Sequence, residues 1–172
     1  ASEELKSDMV AHGIERAALA LATGSAGTQT GLTAGVALFD VPASVTAYAV
    51  CDDAEWFNRR VMSDWQASVE RWAQLPDITI APRTRDHSVG PGYGRADPSV
   101  YALITELTRL EGIVLDPVYT GKAFKGFVED IAGGFYDDWD DIVFVHTGGV
   151  FGLFSHSEHF REPVRTRAEP VA

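Results

Sequence analysis

The chain is poor in positive charge. Lysine occurs only at positions 6, 122 and 125, the basic total is 14 against 25 acidic residues, and the formal net charge is −11. No basic surplus exists to displace counterions from a phosphate backbone or to hold an anionic lipid surface, so neither nucleic-acid nor membrane partners are expected. Cysteine is scarcer still. Cys51 stands alone, which excludes an internal disulfide and agrees with a reducing, cytoplasmic setting. At the end of the apolar run 45–50 it reads as a buried structural thiol. No apolar run approaches the roughly 18 residues of a membrane span, and Ala1-Ser2-Glu3-Glu4 is acidic where a secretory signal is basic.

With 172 residues and 45% apolar content, the chain is sized for one domain with one substantial core. Short β-branched runs alternate with longer helical patterns, the signature of an α/β domain on a mainly parallel open sheet with flanking helices. Strands are expected at 17–22, 45–50 and 142–145. A glycine-rich turn at 24–31 leads into a short helix through Leu38. Asp53 is placed to cap a helix over 54–74, whose Phe57, Val61, Trp65, Val69 and Trp72 recur at three- to four-residue spacing and read as one buried face rather than as a ligand box. Further helices are expected over 98–110 and 121–132, separated from the preceding one by an irregular Gly- and Pro-rich loop over 84–97. Asp137-Asp138-Trp139-Asp140-Asp141 reads as a solvated connector. The domain is taken as 1–155, with 156–172 a polar, mobile tail; His156-Ser157-Glu158-His159 lacks the further ligands a metal site needs.

Three features carry chemical interest. Gly24-Ser25-Ala26-Gly27-Thr28 follows a strand and opens a helix, so its backbone N–H groups and the helix N-terminus face outward together, as an anion site requires. It is neither a Walker loop nor a G-x-G-x-x-G fingerprint. Tyr93 sits in the irregular loop, where function often resides. His146-Thr147-Gly148-Gly149 lies at a strand's carboxyl end, the edge at which open α/β sheets bind ligands; His146 itself reads as a structural hydrogen-bonding residue.

Four strings in order, residues 23–31, Gly90-Pro91-Gly92-Tyr93-Gly94, the segment 111–123 containing Asp116-Pro117-Val118-Tyr119-Thr120-Gly121-Lys122, and His146-Thr147-Gly148-Gly149, resemble the D-cysteine desulfhydrase and 1-aminocyclopropane-1-carboxylate deaminase family. The resemblance covers about 17–154. It implies the C-terminal part of the large domain of a fold-type-II (tryptophan synthase β-like) pyridoxal 5′-phosphate enzyme. On it, the backbone of Gly24, Ser25, Ala26, Gly27 and Thr28 binds the cofactor phosphate, Tyr119 stacks on the pyridine ring, and Tyr93 is a second active-site tyrosine. Thr120 takes the place of a glutamate that, in the deaminase branch, pairs with the pyridine nitrogen; a hydroxyl can only hydrogen-bond a neutral nitrogen, which favours β-elimination. Thr147, where the deaminases carry leucine, points the same way. The implied reaction releases pyruvate, ammonia and sulfide from a small amino acid.

None of the three lysines falls at the family's cofactor-linking position; Lys122 matches the lysine of the Tyr-Thr-Gly-Lys motif, which is not the cofactor-linking one. The cofactor-linking lysine, the small domain and its substrate-binding serine and asparagine belong to an N-terminal stretch this chain lacks. A complementary chain carrying them, within an oligomer, is one expectation; a fragment of a longer chain and a non-catalytic homologue are the others.

Overall fold

The computed structural model describes residues 1–160. Its core is a four-stranded, all-parallel sheet in the order β3-β2-β1-β4. The strands are β1 (Ala17–Thr23), β2 (Ala43–Ala49), β3 (Thr84–Arg85) and β4 (Asp141–Val145). The helices are α1 (Ser2–Ala11), α2 (Gly27–Leu38), α3 (Ala54–Arg71), α4 (Pro98–Glu111) and α5 (Thr120–Ala132), followed by a 3-10 helix over Val150–Phe160.

Strand β1 is central and buried along its whole length. Its period-2 alternation sorts side chains between two layers: Leu19 and Leu21 pack toward α1 and α2 with Met9, Leu32 and Val45, while Ala18, Ala20 and Ala22 pack toward α5 with Ala123 and Phe127. Helix α3 packs against α2 and the β2–β3 side of the sheet and buries Phe57, Val61 and Trp65, each worth roughly 1.5–3 kcal/mol of transfer free energy. Asp53 caps it by accepting from the Trp56 N–H at 2.7 Å. The apolar stripe stops short of its expected end: the helix closes at Arg71, and Trp72 is 46% exposed.

Two elements were invisible to pattern reading. α1 has almost no amphipathic contrast, since Met9 is its one large buried side chain. β3 has only two residues, but it pairs with β2 and so anchors the start of what was expected to be wholly irregular loop. The 3-10 helix runs five residues past the expected domain boundary at 155. Tyr101 holds that stretch: its hydroxyl meets His156 Nδ1 at 2.9 Å, His159 stacks on its ring at 4.3 Å, and Phe160 meets it edge-on. Those aromatic contacts were hidden in a segment that looks polar. The rest of the expected tail, 161–172, lies outside the described residues.

Behind the sheet a polar cluster ties β2, β3 and α5 together. The buried Tyr48 hydroxyl donates to Asp130 Oδ2 at 2.7 Å and meets the Tyr136 hydroxyl at 2.9 Å. Arg85 Nη2 donates to Asp130 Oδ1 at 2.8 Å, and its guanidinium lies over the Phe135 ring. Burial, reinforced by these partners, drives the Tyr48 phenol far above its ordinary range. On the opposite side the sheet ends at β4, whose only neighbour among the described residues is β1.

Candidate active site

In a parallel sheet all carboxyl ends point one way, and the loops that leave them share one edge. Here that edge carries the loop after β1, the turn after β2 and the loop after β4. Together with the Gly92-Tyr93 loop and the turn before α5 they enclose a cavity of about 910 Å³.

The floor is the entry to α2. Ala26 is its N-cap, in the left-handed region at φ 68°, with no side-chain cap, and no acidic residue lies in the first turn. The first-turn amides have no acceptor within the helix, and the positive end of the helix dipole is uncompensated. Ser25 and Thr28 place hydroxyls at the cavity wall. Gly24 has to be glycine because of its neighbour: a Cβ there would stand 2.9 Å from Tyr119 Cε1 and 3.2 Å from Val50 Cγ2. The Tyr119 ring thus lies directly on the loop backbone.

Tyr119 is presented by a turn organised around one buried carboxylate. Asp116 is fully buried, and its Oδ2 accepts from the N–H groups of Val118 and Tyr119, both at 2.8 Å, while its Oδ1 accepts from Thr120 N at 2.9 Å and Thr120 Oγ1 at 2.8 Å. The Thr120 hydroxyl in turn accepts from Asp116 N at 3.0 Å. This closed arrangement corrects the expectation for Thr120. Its side chain is fully buried and its hydroxyl is engaged as both donor and acceptor, so it holds the turn instead of facing the cavity. Residue type at a helix entry does not reveal which way the side chain turns, and the Asp116 partner decided it.

Across the cavity Tyr93, 59% exposed, hydrogen-bonds through its hydroxyl to that of Tyr119, with the rings edge-on at 5.8 Å. That hydrogen bond, followed by burial, lifts the Tyr119 phenol to about 12, so it keeps its proton near neutrality. Of the expected site residues, Gly24, Ser25, Thr28, Tyr93, Tyr119 and Thr147 line the cavity. Ala26, which is buried, and Gly27, which is exposed, are not among the lining residues and have no polar side chain to offer. His146 stays structural: its Nε2 meets Val114 O at 3.0 Å, and its Nδ1 accepts from Gly148 N.

Cys51, expected as a buried structural thiol, is half-buried and lines the cavity, as does Asp52, which the sequence did not single out. The signal available was position, since both follow directly on the carboxyl end of β2. Burial raises the Cys51 thiol to about 11, so it keeps its proton near neutrality. No lysine lines the cavity. Lys6 donates to Phe39 O, Lys125 pairs with Glu129, and Lys122 is buried behind the rim with its ammonium on two backbone carbonyls. Among the described residues no cluster of three His, Cys, Asp or Glu side chains is placed to hold a metal ion, and no helix is long and apolar enough to cross a membrane.

An uncapped helix N-terminus with flanking hydroxyls, and an aromatic ring seated on its loop, make a donor set suited to a phosphorylated aromatic cofactor. The family model described as pyridoxal-phosphate dependent enzyme matches residues 3–148, and the chain belongs to that family. Among its relatives, a D-cysteine desulfhydrase of Klebsiella pneumoniae is 36% identical over 149 residues, 85% of this chain and 44% of that protein. One from Yersinia pestis is 37% identical over 139 residues, 79% of this chain and 41% of the relative. A solved structure of an ACC deaminase homologue superposes with a TM-score of 0.76 at 26% identity, covering 91% of this chain and 47% of that one. The sheet and its flanking helices are thus those of a fold-type-II pyridoxal-phosphate enzyme, and the chain spans less than half the length of the relatives it matches.

Proposed function

We propose that this chain forms the phosphate-binding half of a pyridoxal-phosphate dependent lyase acting on a small amino acid in the manner of D-cysteine desulfhydrase. The observation that carries this reading is the open N-terminus of α2 facing Tyr119 and Tyr93 across one cavity. Backbone N–H groups at residues 24–28 hold the phosphate, helped by the Ser25 and Thr28 hydroxyls. Tyr119 packs against the ring, and Thr147 borders it from the loop after β4. When bound, pyridoxal phosphate supplies an electron sink for the substrate's α-carbon. The hydrogen-bonded hydroxyls of Tyr93 and Tyr119 then offer hydrogen bonds to substrate oxygens or a proton to a departing group. For D-cysteine, water and substrate would give pyruvate, ammonia and sulfide.

A complementary chain or segment bearing the cofactor-linking lysine and the small domain completes the site. Two features support a partner: among the described residues β4 pairs with no strand but β1, and Phe151 and Phe154 are 81% and 75% exposed. The test uses the protein with every chain that co-purifies with it. D-cysteine should perturb the bound cofactor's absorption and release sulfide, while 1-aminocyclopropane-1-carboxylate should release less ammonia than D-cysteine. Failure of that preparation to bind pyridoxal phosphate removes the enzyme reading, and preference for the cyclopropane substrate moves it to the deaminase branch. The position of the three lysines, all away from the cavity, favours one second reading, a cofactor- or phosphate-binding subunit without turnover. Intact-mass analysis of the co-purified material separates the two, since only the lyase requires a lysine-bearing companion.

A further inference from the structure

Lys122 is 1% exposed, and both acceptors the structure gives its ammonium are backbone carbonyls: Val50 O at 3.2 Å and Gly92 O at 2.6 Å. A buried charge is retained only where its neighbours compensate it. Burial pushes this amine below its usual range, with Cys51 and Asp97 opposing that shift. The two carbonyls belong to separate segments. Val50 ends the run that delivers Cys51 and Asp52 to the cavity, and Gly92 immediately precedes Tyr93. The Gly92 loop has no regular structure, and Gly90, Gly92 and Gly94 all take positive φ, at 64°, 113° and 72°. Tyr93 itself is too exposed for packing to fix it.

We propose that Lys122 is a positioning residue whose buried ammonium clamps the Gly92 carbonyl to α5 and thereby sets the Tyr93 hydroxyl against that of Tyr119. Tyr119 and Lys122 are three residues apart at the entry to α5, so one turn of helix presents both the ring and the clamp. Tyr93 is held at two points, through its own hydroxyl and through the carbonyl that precedes it. The Val50 contact adds the rim at Cys51 and Asp52 to the same anchor. The value of this for catalysis rests on the cavity being the cofactor site, but the clamp is testable without cofactor or turnover.

The readout is ionisation of Tyr119, followed by NMR of tyrosine labelled at Cζ in the protein with its co-purifying chains and no added cofactor. Lys122→Met keeps the side chain's apolar length and removes the ammonium. It should release Tyr93 and drop the Tyr119 phenol from about 12 toward its ordinary value near 10. Tyr93→Phe should give the same fall, and the double variant should give no further one. Gly92→Ala moves the carbonyl without touching the core: the loop strains at φ 113°, yet no atom lies within 4 Å of the added Cβ. It should reproduce the fall even if Lys122→Met does not fold. A Tyr119 value that stays near 12 in either folded variant would overturn the proposal, leaving Lys122 a packing residue only.

Discussion

Two helices begin at the same edge of this sheet, and their N-termini are treated in opposite ways. α5 starts over an anion of its own, because the buried Asp116 carboxylate accepts from the Val118, Tyr119 and Thr120 amides. Neither helix has a side-chain cap on its N-cap residue or an acid in its first turn, but α2 also has no such carboxylate before it, and the Gly24 backbone is pressed against Tyr119. The same macrodipole meets a buried carboxylate in one place and, on the proposed function, a ligand's phosphate in the other. On the proposed reading the closed turn is a mount for Tyr119 and the open one is the socket for the phosphate.

The comparison breaks most heavily if the mount is emptied. Asp116→Ala leaves buried amides without an acceptor, and at about 1–3 kcal/mol for each unsatisfied group it should cost on the order of 3 kcal/mol or more. The urea midpoint should fall accordingly, and a fall of a few tenths would deny the carboxylate its role. Next is the socket. Gly24→Val places atoms where Tyr119 stands, so pyridoxal-phosphate affinity should drop at least about tenfold, or 1.4 kcal/mol, by equilibrium dialysis, with a smaller loss of stability.

A smaller effect comes from the tyrosine between the two. Tyr119 ionises near 12 when folded and near 10 when unfolded. Its contribution to stability is therefore complete below about pH 10 and is lost as pH rises to 12. Tyr119→Phe should flatten that part of the stability profile, as read by denaturant titration at stepped pH. The smallest change is the most discriminating. Thr28→Glu gives α2 the acid it lacks, so it should stabilise the chain by about 0.5 kcal/mol, seen as a rise in Tm, while weakening anion binding. Movement of both in the same direction would mean that α2 is not an anion socket.

The sheet and most helices were legible because their signals are periodic. Residues 17–22 and 45–50 mark central strands, the Phe57-Val61-Trp65 spacing marks a buried face, and Asp53 announces its own helix. The cavity rim was legible for a related reason: loops at the carboxyl edge of parallel strands converge whatever their length, which brought Gly24, Tyr93, Tyr119 and Thr147 together. What stayed hidden was direction and partnership. Thr120 follows Tyr119 by one residue yet points the other way, because Asp116 captures its hydroxyl. Lys122 is recognisable as a motif lysine, but its burial is not, since its ammonium lies on two carbonyls 30 and 72 residues away in sequence. Tyr48, Asp130 and Tyr136 assemble across the same kind of separation, and no local pattern encodes such pairings.

The central claim is that one of the two N-termini at this edge is an anion site and the other is not. Titrating pyridoxal phosphate into the protein with its co-purifying chains, and following backbone amide resonances, tests it directly. The amides of residues 24–28 should shift and saturate together while those of 118–120 stay in place. Unmoved signals at 24–28, or equal shifts at both turns, would contradict it.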